Sequence, residues 1–175
     1  MNVVLLLGHT RLAVTPADPD VIYANFVNYQ NSQTLGVYRS TNGGAFWELR
    51  NSGFNMTGGQ GWYNLTVACD PDNSERVILG GVPLFASDDG AINIYELPSS
   101  PPMGDSTRVH VDHHAIAYKP DNPDEVWVGS DGGVYRSLDD GASFVIRQNG
   151  IVSFQFYDIA VAQTMYAGCD VWLNH

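Results

Sequence analysis

Three short stretches hold the side chains that could do chemistry. His110-Val111-Asp112-His113-His114 sets three imidazoles around a carboxylate. In an extended chain alternate residues share a face, so His110, Asp112 and His114 would line one side and His113 the other. Such a face could hold a transition metal or offer hydrogen bonds to a sugar. The more ordinary use is a hydrogen-bond network with no metal, and no cofactor is expected. Gly61-Trp62-Tyr63-Asn64 carries rings of the kind on which carbohydrates stack, although Trp62 and Tyr63 would more commonly pack between structural elements. In Ser130-Asp131-Gly132-Gly133 the aspartate reads first as a turn former, with a catalytic carboxylate as the alternative.

The elements that must position these residues are announced by a repeat. Gly36-Val37-Tyr38-Arg39-Ser40 runs into Thr41-Asn42-Gly43-Gly44-Ala45-Phe46-Trp47, and Gly133-Val134-Tyr135-Arg136-Ser137 runs into Leu138-Asp139-Asp140-Gly141-Ala142-Ser143-Phe144. Both fit Ser-x-Asp/Asn-x-Gly-x-x-aromatic. Between them, Ser87-Asp88-Asp89-Gly90 is a worn copy whose glycine comes one place early and which lacks the aromatic. The three serines lie 47 and 50 residues apart, a spacing that means an array. An Asp or Asn in such a turn binds its own backbone two residues on, and glycine takes the positive φ that a side chain resists. The trailing aromatic can fold back over the turn and bury its ring.

A second motif runs in phase with the first. An apolar strand followed by a Pro-Asp turn appears at residues 11–22, at Leu65–Val77 and at Ala115–Val126, with Pro71 and Pro120 each six residues before a valine. Each unit reads as strand, Pro-Asp turn, strand, strand ending in the serine, Ser-x-Asp turn, and a fourth strand such as Phe46-Trp47-Glu48-Leu49 or Phe144-Val145-Ile146-Arg147. No stretch has a helical period. The predicted organisation is a single domain over 1–175, with four-strand units at approximately 11–50, 62–97 and 110–148 and the start of a fourth at 151–163. Four antiparallel strands in about 45 residues is what one propeller blade needs, and rings of four to eight blades are usual. The expectation is therefore an all-β, incomplete propeller whose end blades expose apolar faces. Longer connections at Tyr23–Leu35, Asn51–Gly61 and Pro98–Ser106 are either a binding face or decoration.

Composition narrows the partners. The chain is 44% hydrophobic and 15% charged, with eighteen glycines and nine prolines, as suits a turn-rich domain with a core. A net charge of −11 makes nucleic acid and anionic membranes poor partners. Cys69 and Cys169 read as separate buried thiols, since they form no metal or redox motif. Val3–Leu7 is too short, and lacks the basic flank, for a signal or a membrane span. Asn55-Met56-Thr57 and Asn64-Leu65-Thr66 match the glycosylation acceptor pattern, which is common by chance.

Ser40 to Trp47 and Ser137 to Phe144 resemble the Asp-box, or BNR, repeat of sialidase-like β-propellers. That family includes sialidases, xyloglucanase-type glycoside hydrolases, the sortilin luminal domain and photosystem assembly factors. The resemblance implies a structural role for Ser40, Asn42, Gly44, Trp47, Ser87, Asp89, Gly90, Ser137, Asp139, Gly141 and Phe144. It implies that innermost strands line a channel, where Trp62, Tyr63, His110, Asp112 and His114 become candidate ligand contacts. It also implies an exported parent protein with further blades. Asp131 to Arg136 resembles the Asp-x-Gly-Gly-x-Tyr-Arg stretch that carries a catalytic aspartate in xyloglucanase-type hydrolases, with the spacer residue missing. No Arg-Ile-Pro stretch of the sialidase kind occurs, and Arg39 and Arg136 sit at matching repeat positions, which suggests structural work. The expected role is a non-catalytic scaffold binding glycan or protein. A glycoside hydrolase piece and a sortilin-like or assembly-factor interaction module are the alternatives.

Overall fold

The computed structural model describes residues 7–99 and 107–151, and all regular structure in them is strand. Twelve strands form three separate antiparallel sheets, each a simple meander in chain order. The first comprises β1 (Leu7–Thr15), β2 (Asp18–Asn28), β3 (Thr34–Ser40) and β4 (Glu48–Asn51). The second comprises β5 (Thr66–Cys69), β6 (Val77–Gly80), β7 (Leu84–Ser87) and β8 (Tyr95–Glu96). The third comprises β9 (His113–Lys119), β10 (Asn122–Ser130), β11 (Gly133–Ser137) and β12 (Val145–Ile146). The fourth unit expected beyond Ile151, together with Cys169, lies outside the described residues.

Burial explains the strand sequences. Two apolar cores lie in the two gaps between sheets. One gathers Val21, Tyr23, Val37, Met56, Val77 and Leu79, and the other gathers Ile78, Leu84, Val126, Val128, Tyr135 and Phe144. Neighbours along β6 thus point into different cores, and a strand buried on both faces can be apolar at every position, as Val77-Ile78-Leu79 is. The outer sheets bury one face and keep the alternation of a half-buried strand: Tyr23 is buried while Leu12 and Val14, on β1, stay exposed. Gly80 permits the tight fit of the second gap, since a Cβ there would lie 2.5 Å from Thr66 and 2.8 Å from His113.

The three Ser-x-Asp/Asn turns share one hydrogen-bond pattern. Each serine Oγ accepts from the N–H four residues on, at 2.9 Å from Gly44, 2.9 Å from Ala91 and 2.8 Å from Gly141. Each serine hydroxyl donates to the side-chain oxygen two residues on, in Asn42, Asp89 or Asp139. That same oxygen accepts a backbone N–H six residues past the serine, from Phe46, Asn93 or Ser143. The fourth position demands a left-handed backbone, with φ of 88° at Gly44 and 87° at Gly141. In the worn copy Ala91 takes that conformation at 67°. The glycine at position 90 is itself left-handed, with a φ of 70°, and lies against the ends of Glu75 and Arg39, two side chains that form an ion pair across the first gap. Ile94 occupies the place of the missing aromatic and packs on the first core.

Two expectations change in the structure. Much of the extra length at Tyr23–Leu35 is strand, not loop: β2 and β3 continue past Phe26↔Gly36 to Val27↔Thr34, lengthening the hairpin at one end of the sheet. Phe46, Trp47 and Phe144 belong to the turns, because each pairs with nothing until the following residues, Glu48 and Val145, enter the ladder. Phe144 is fully buried beside Gly141, whereas Phe46 is exposed.

Candidate functional site

A four-strand meander puts its first and third turns at one end and its middle turn at the other. The Pro-Asp and Ser-x-Asp turns therefore share one end of the three sheets. The segments entering β5 and β9, the turn from β6 to β7, the turn from β10 to β11 and the lengthened β2–β3 hairpin share the opposite end. Every chemically suggestive residue stands at this second end.

Its centre is Asp131, in the turn between β10 and β11. The Tyr63 hydroxyl donates to Asp131 Oδ1 at 2.9 Å, and His114 Nε2 bonds the same oxygen at 2.6 Å. The Tyr63 and His114 rings meet edge to face at 4.7 Å, and Trp62 lies 5.5 Å from Tyr63. Partial burial pushes the Asp131 carboxyl up, but the bonds from His114 and Tyr63 and the nearby His114 and His110 charges outweigh it and hold the group below the usual carboxylate value. Asp131 is thus an anion at neutral pH, suited to accepting protons or hydrogen bonds and not to donating them. It is not the turn former expected of it: Ser130 Oγ takes the Gly132 N–H of that turn, leaving the Asp131 side chain to residues from two other segments.

His110, Asp112 and His114 do not share a strand face. Asp112 has a φ of 63°, so the chain turns there and β9 starts at His113. The turn is held by backbone bonds from Asp112 to Val82 O, from His113 to Gly81 O and from Asp131 to Asp112 O. Asp112 Oδ1 accepts from Asn64 Nδ2 at 2.5 Å. His110 lies over Gly132, where a Cβ would come within 2.2 Å of it. Of the three side chains, only that of His114 bonds the Asp131 carboxylate. His113 points inward, fully buried, with Nδ1 3.0 Å from Gly81 O. Because a carbonyl can only accept, Nδ1 carries the proton and the buried Nε2 is left without a partner. Burial, the largest influence, lowers the His113 pKa to about 4, so the ring is neutral. Among the described residues no group of three His, Cys, Asp or Glu side chains is placed to hold a metal ion.

Trp62 does not pack between sheets. It is 69% exposed, at the rim of a depression of about 170 Å³ lined by Gly8, His9, Val27, Asn28, Tyr29 and Ser32. The Gly61 backbone is fixed there by Ser32 O and by the His9 ring at 2.9 Å. Tyr29, 75% exposed, is a second ring at the same depression. Neither Tyr29 nor His9 stood out in the sequence, although the extra length between the first unit's second and third strands was the signal for Tyr29. Asn64 is fully buried, which removes it as a glycosylation acceptor. Buried Cys69, its thiol pushed up to about 12 by burial, is inert.

Neither a protein-family model nor a curated protein sequence matches the chain. Solved structures do. A GH74 xyloglucanase from Xanthomonas campestris superposes with a TM-score of 0.60 and 22% identity over 77% of this chain and 22% of its own. A GH74 enzyme from Niastella koreensis gives 0.56 and 18%, over 77% of this chain and 22% of that enzyme. YCF48 from Cyanidioschyzon merolae gives 0.51 and 15%, over 79% and 36%. The chain thus spans between about a fifth and about a third of the length of these neighbours. At such identities the likeness defines the fold. The three sheets are consecutive blades of a β-propeller, an incomplete ring in the described residues.

Proposed function

We propose that the chain is a propeller scaffold whose face at the Asp131 end binds a neutral, hydroxyl-rich ligand of the glycan class. The observation that carries this is the row Tyr29, Trp62, Tyr63, His114 and Asp131, in which exposed rings adjoin an ionised carboxylate already held by two donors. Aromatic faces stack on the apolar faces of sugar rings, and carboxylate and imidazole bond their hydroxyls. An overall charge of −11 disfavours polyanionic glycans and leaves neutral ones. Glycan-acting enzymes among the structural neighbours support this choice of ligand class. Calorimetric titration with xyloglucan and β-glucan oligosaccharides should show saturable binding that Trp62→Ala reduces at least about tenfold, the loss of one stacked ring. Titration without heat against every neutral glycan, by a folded chain, would overturn the reading.

A second reading, part of a glycoside hydrolase, is favoured by the ionised state of Asp131, which suits a general base. Inverting hydrolysis needs a second, protonated carboxyl across the scissile bond. Reducing-end release from the same oligosaccharides, abolished in Asp131→Asn, is the result expected of an enzyme. Binding without release is the result expected of the scaffold.

A further inference from the structure

We propose that the open face of the third blade docks on the first blade of a second copy of this chain, head to tail, so that two copies complete one ring. The argument rests on how the first gap between blades is closed. Arg39, on β3, crosses it to pair with Glu75 in the Pro-Asp turn of the second blade. Arg50, on β4, crosses it to donate from Nε to Gly90 O at 2.9 Å and from Nη2 to Asp89 O, in the second blade's Ser-x-Asp turn. Tyr23 lies beneath Arg39, 5.6 Å from its guanidinium, and is fully covered.

The third blade repeats this set of donors. Arg136 and Arg147 stand 97 residues after Arg39 and Arg50, and Trp127 occupies the Tyr23 position, again 5.6 Å from the guanidinium of its arginine. Among the described residues nothing crosses to them. Glu125 of the same blade takes the Arg136 Nε–H, but among the described residues no acceptor is hydrogen-bonded to its Nη groups. Among the described residues the Arg147 guanidinium is hydrogen-bonded only to the carbonyl of its neighbour Ile146. Arg136 and Arg147 flank an open depression of about 310 Å³ that also includes Leu138, Asp139, Ser143 and Val145. The corresponding place in the second blade is Leu97, which packs on Gly141 of the third blade's turn, so this position contacts the next blade whatever its residue type.

The complementary half is on the first blade. Asp20, Glu75 and Asp124 are equivalent, since the carbonyl of each accepts a backbone N–H from its own blade's Ser-x-Asp turn, at Gly43, Gly90 and Asp140. Asp20 therefore holds in the first blade the place that Glu75 holds in the second. It is exposed, and its carboxylate makes no ion pair among the described residues. Asn42 and Gly43 correspond to Asp89 and Gly90, the acceptors of Arg50. A second copy's first blade thus offers Asp20 to Arg136 and the Asn42 and Gly43 carbonyls to Arg147. The described blades of two copies number six, inside the usual four to eight. The two junctions are identical and related by a two-fold axis, so each copy gives its third blade to the other's first.

Light scattering on the full 175-residue chain should give twice the chain mass. Asp20→Arg and Arg136→Glu should each give the single-chain mass, because like charges then face each other in both interfaces. Mixed together the two variants should regain the doubled mass, since one interface is then native and the other carries the swapped pair. Arg147→Glu, at an exposed position, should also give the single-chain mass, and it serves where Arg136→Glu beside Glu125 loses its strand circular dichroism. A wild-type chain of single mass would overturn the proposal, as would folded variants that stay double alone or fail to reassociate when mixed.

Discussion

At Asp131 two donors from different segments converge on one carboxylate oxygen, and this convergence is what separates a site from a turn. Asp131→Asn should leave the fold intact while weakening any glycan affinity several-fold, because an amide loses the charge that strengthens each accepted hydrogen bond; titration calorimetry checks it. His113 makes a prediction of opposite character, about stability. Its folded pKa of about 4 lies below the ordinary value near 6.5, so between those limits the unfolded chain binds the extra proton. Stability is complete above pH 6.5 and falls as the pH drops toward 4, by about 3 kcal/mol in total. Melting curves between pH 7 and 5 should show the fall, and His113→Gln should flatten it. Unchanged melting over that window in the wild type would refute the assignment. The importance of Asp131, Asn64 and Tyr29 could not be read locally, because their partners come from segments far away in the chain.

At the scale of elements, the Ser-x-Asp/Asn turns work as staples in which one hydroxyl serves three bonds. Ser137, buried, accepts from Asp139 N and Gly141 N and donates to Asp139 Oδ1. Ser137→Ala strands the buried Gly141 N–H and the partly buried Asp139 N–H and should cost about 1–3 kcal/mol in urea unfolding. Ser137→Thr, which keeps the hydroxyl, should cost less. This element was legible from residue types alone, since its bonds span at most six residues. The displaced Gly90 was legible as a departure, whereas its contact with the Arg39–Glu75 pair was not, because Arg39 comes from another blade. The segment 110–114 was read as strand by its alternation, and Asp112 broke it because long-range backbone bonds to Gly81 and Val82 set the course there.

For the whole molecule, stability resides in the gaps between blades. Leu79 is fully buried in the first gap, while its neighbour Ile78 fills the second. Leu79→Ala should cost about 2–5 kcal/mol and lower a single unfolding transition, because each blade depends on its neighbour for its core. Separate blade transitions, seen by circular dichroism and by tryptophan fluorescence at different urea concentrations, would count against that coupling. Arg76 adds a polar tie across the second gap, donating from Nη2 to the Asp140 carbonyl at 2.7 Å and forming an ion pair with its carboxylate at 3.0 Å.

Period, strand order and turn chemistry were determined by the chain itself, because hairpin meanders are built from neighbours in sequence and their signals are local. The tertiary structure decided which side chains share an end of the sheets. Only when β5 and β9 lie side by side do Tyr63 and His114 reach Asp131, across 68 and 17 residues of chain. No local propensity encodes such a meeting, since it depends on how whole blades pack.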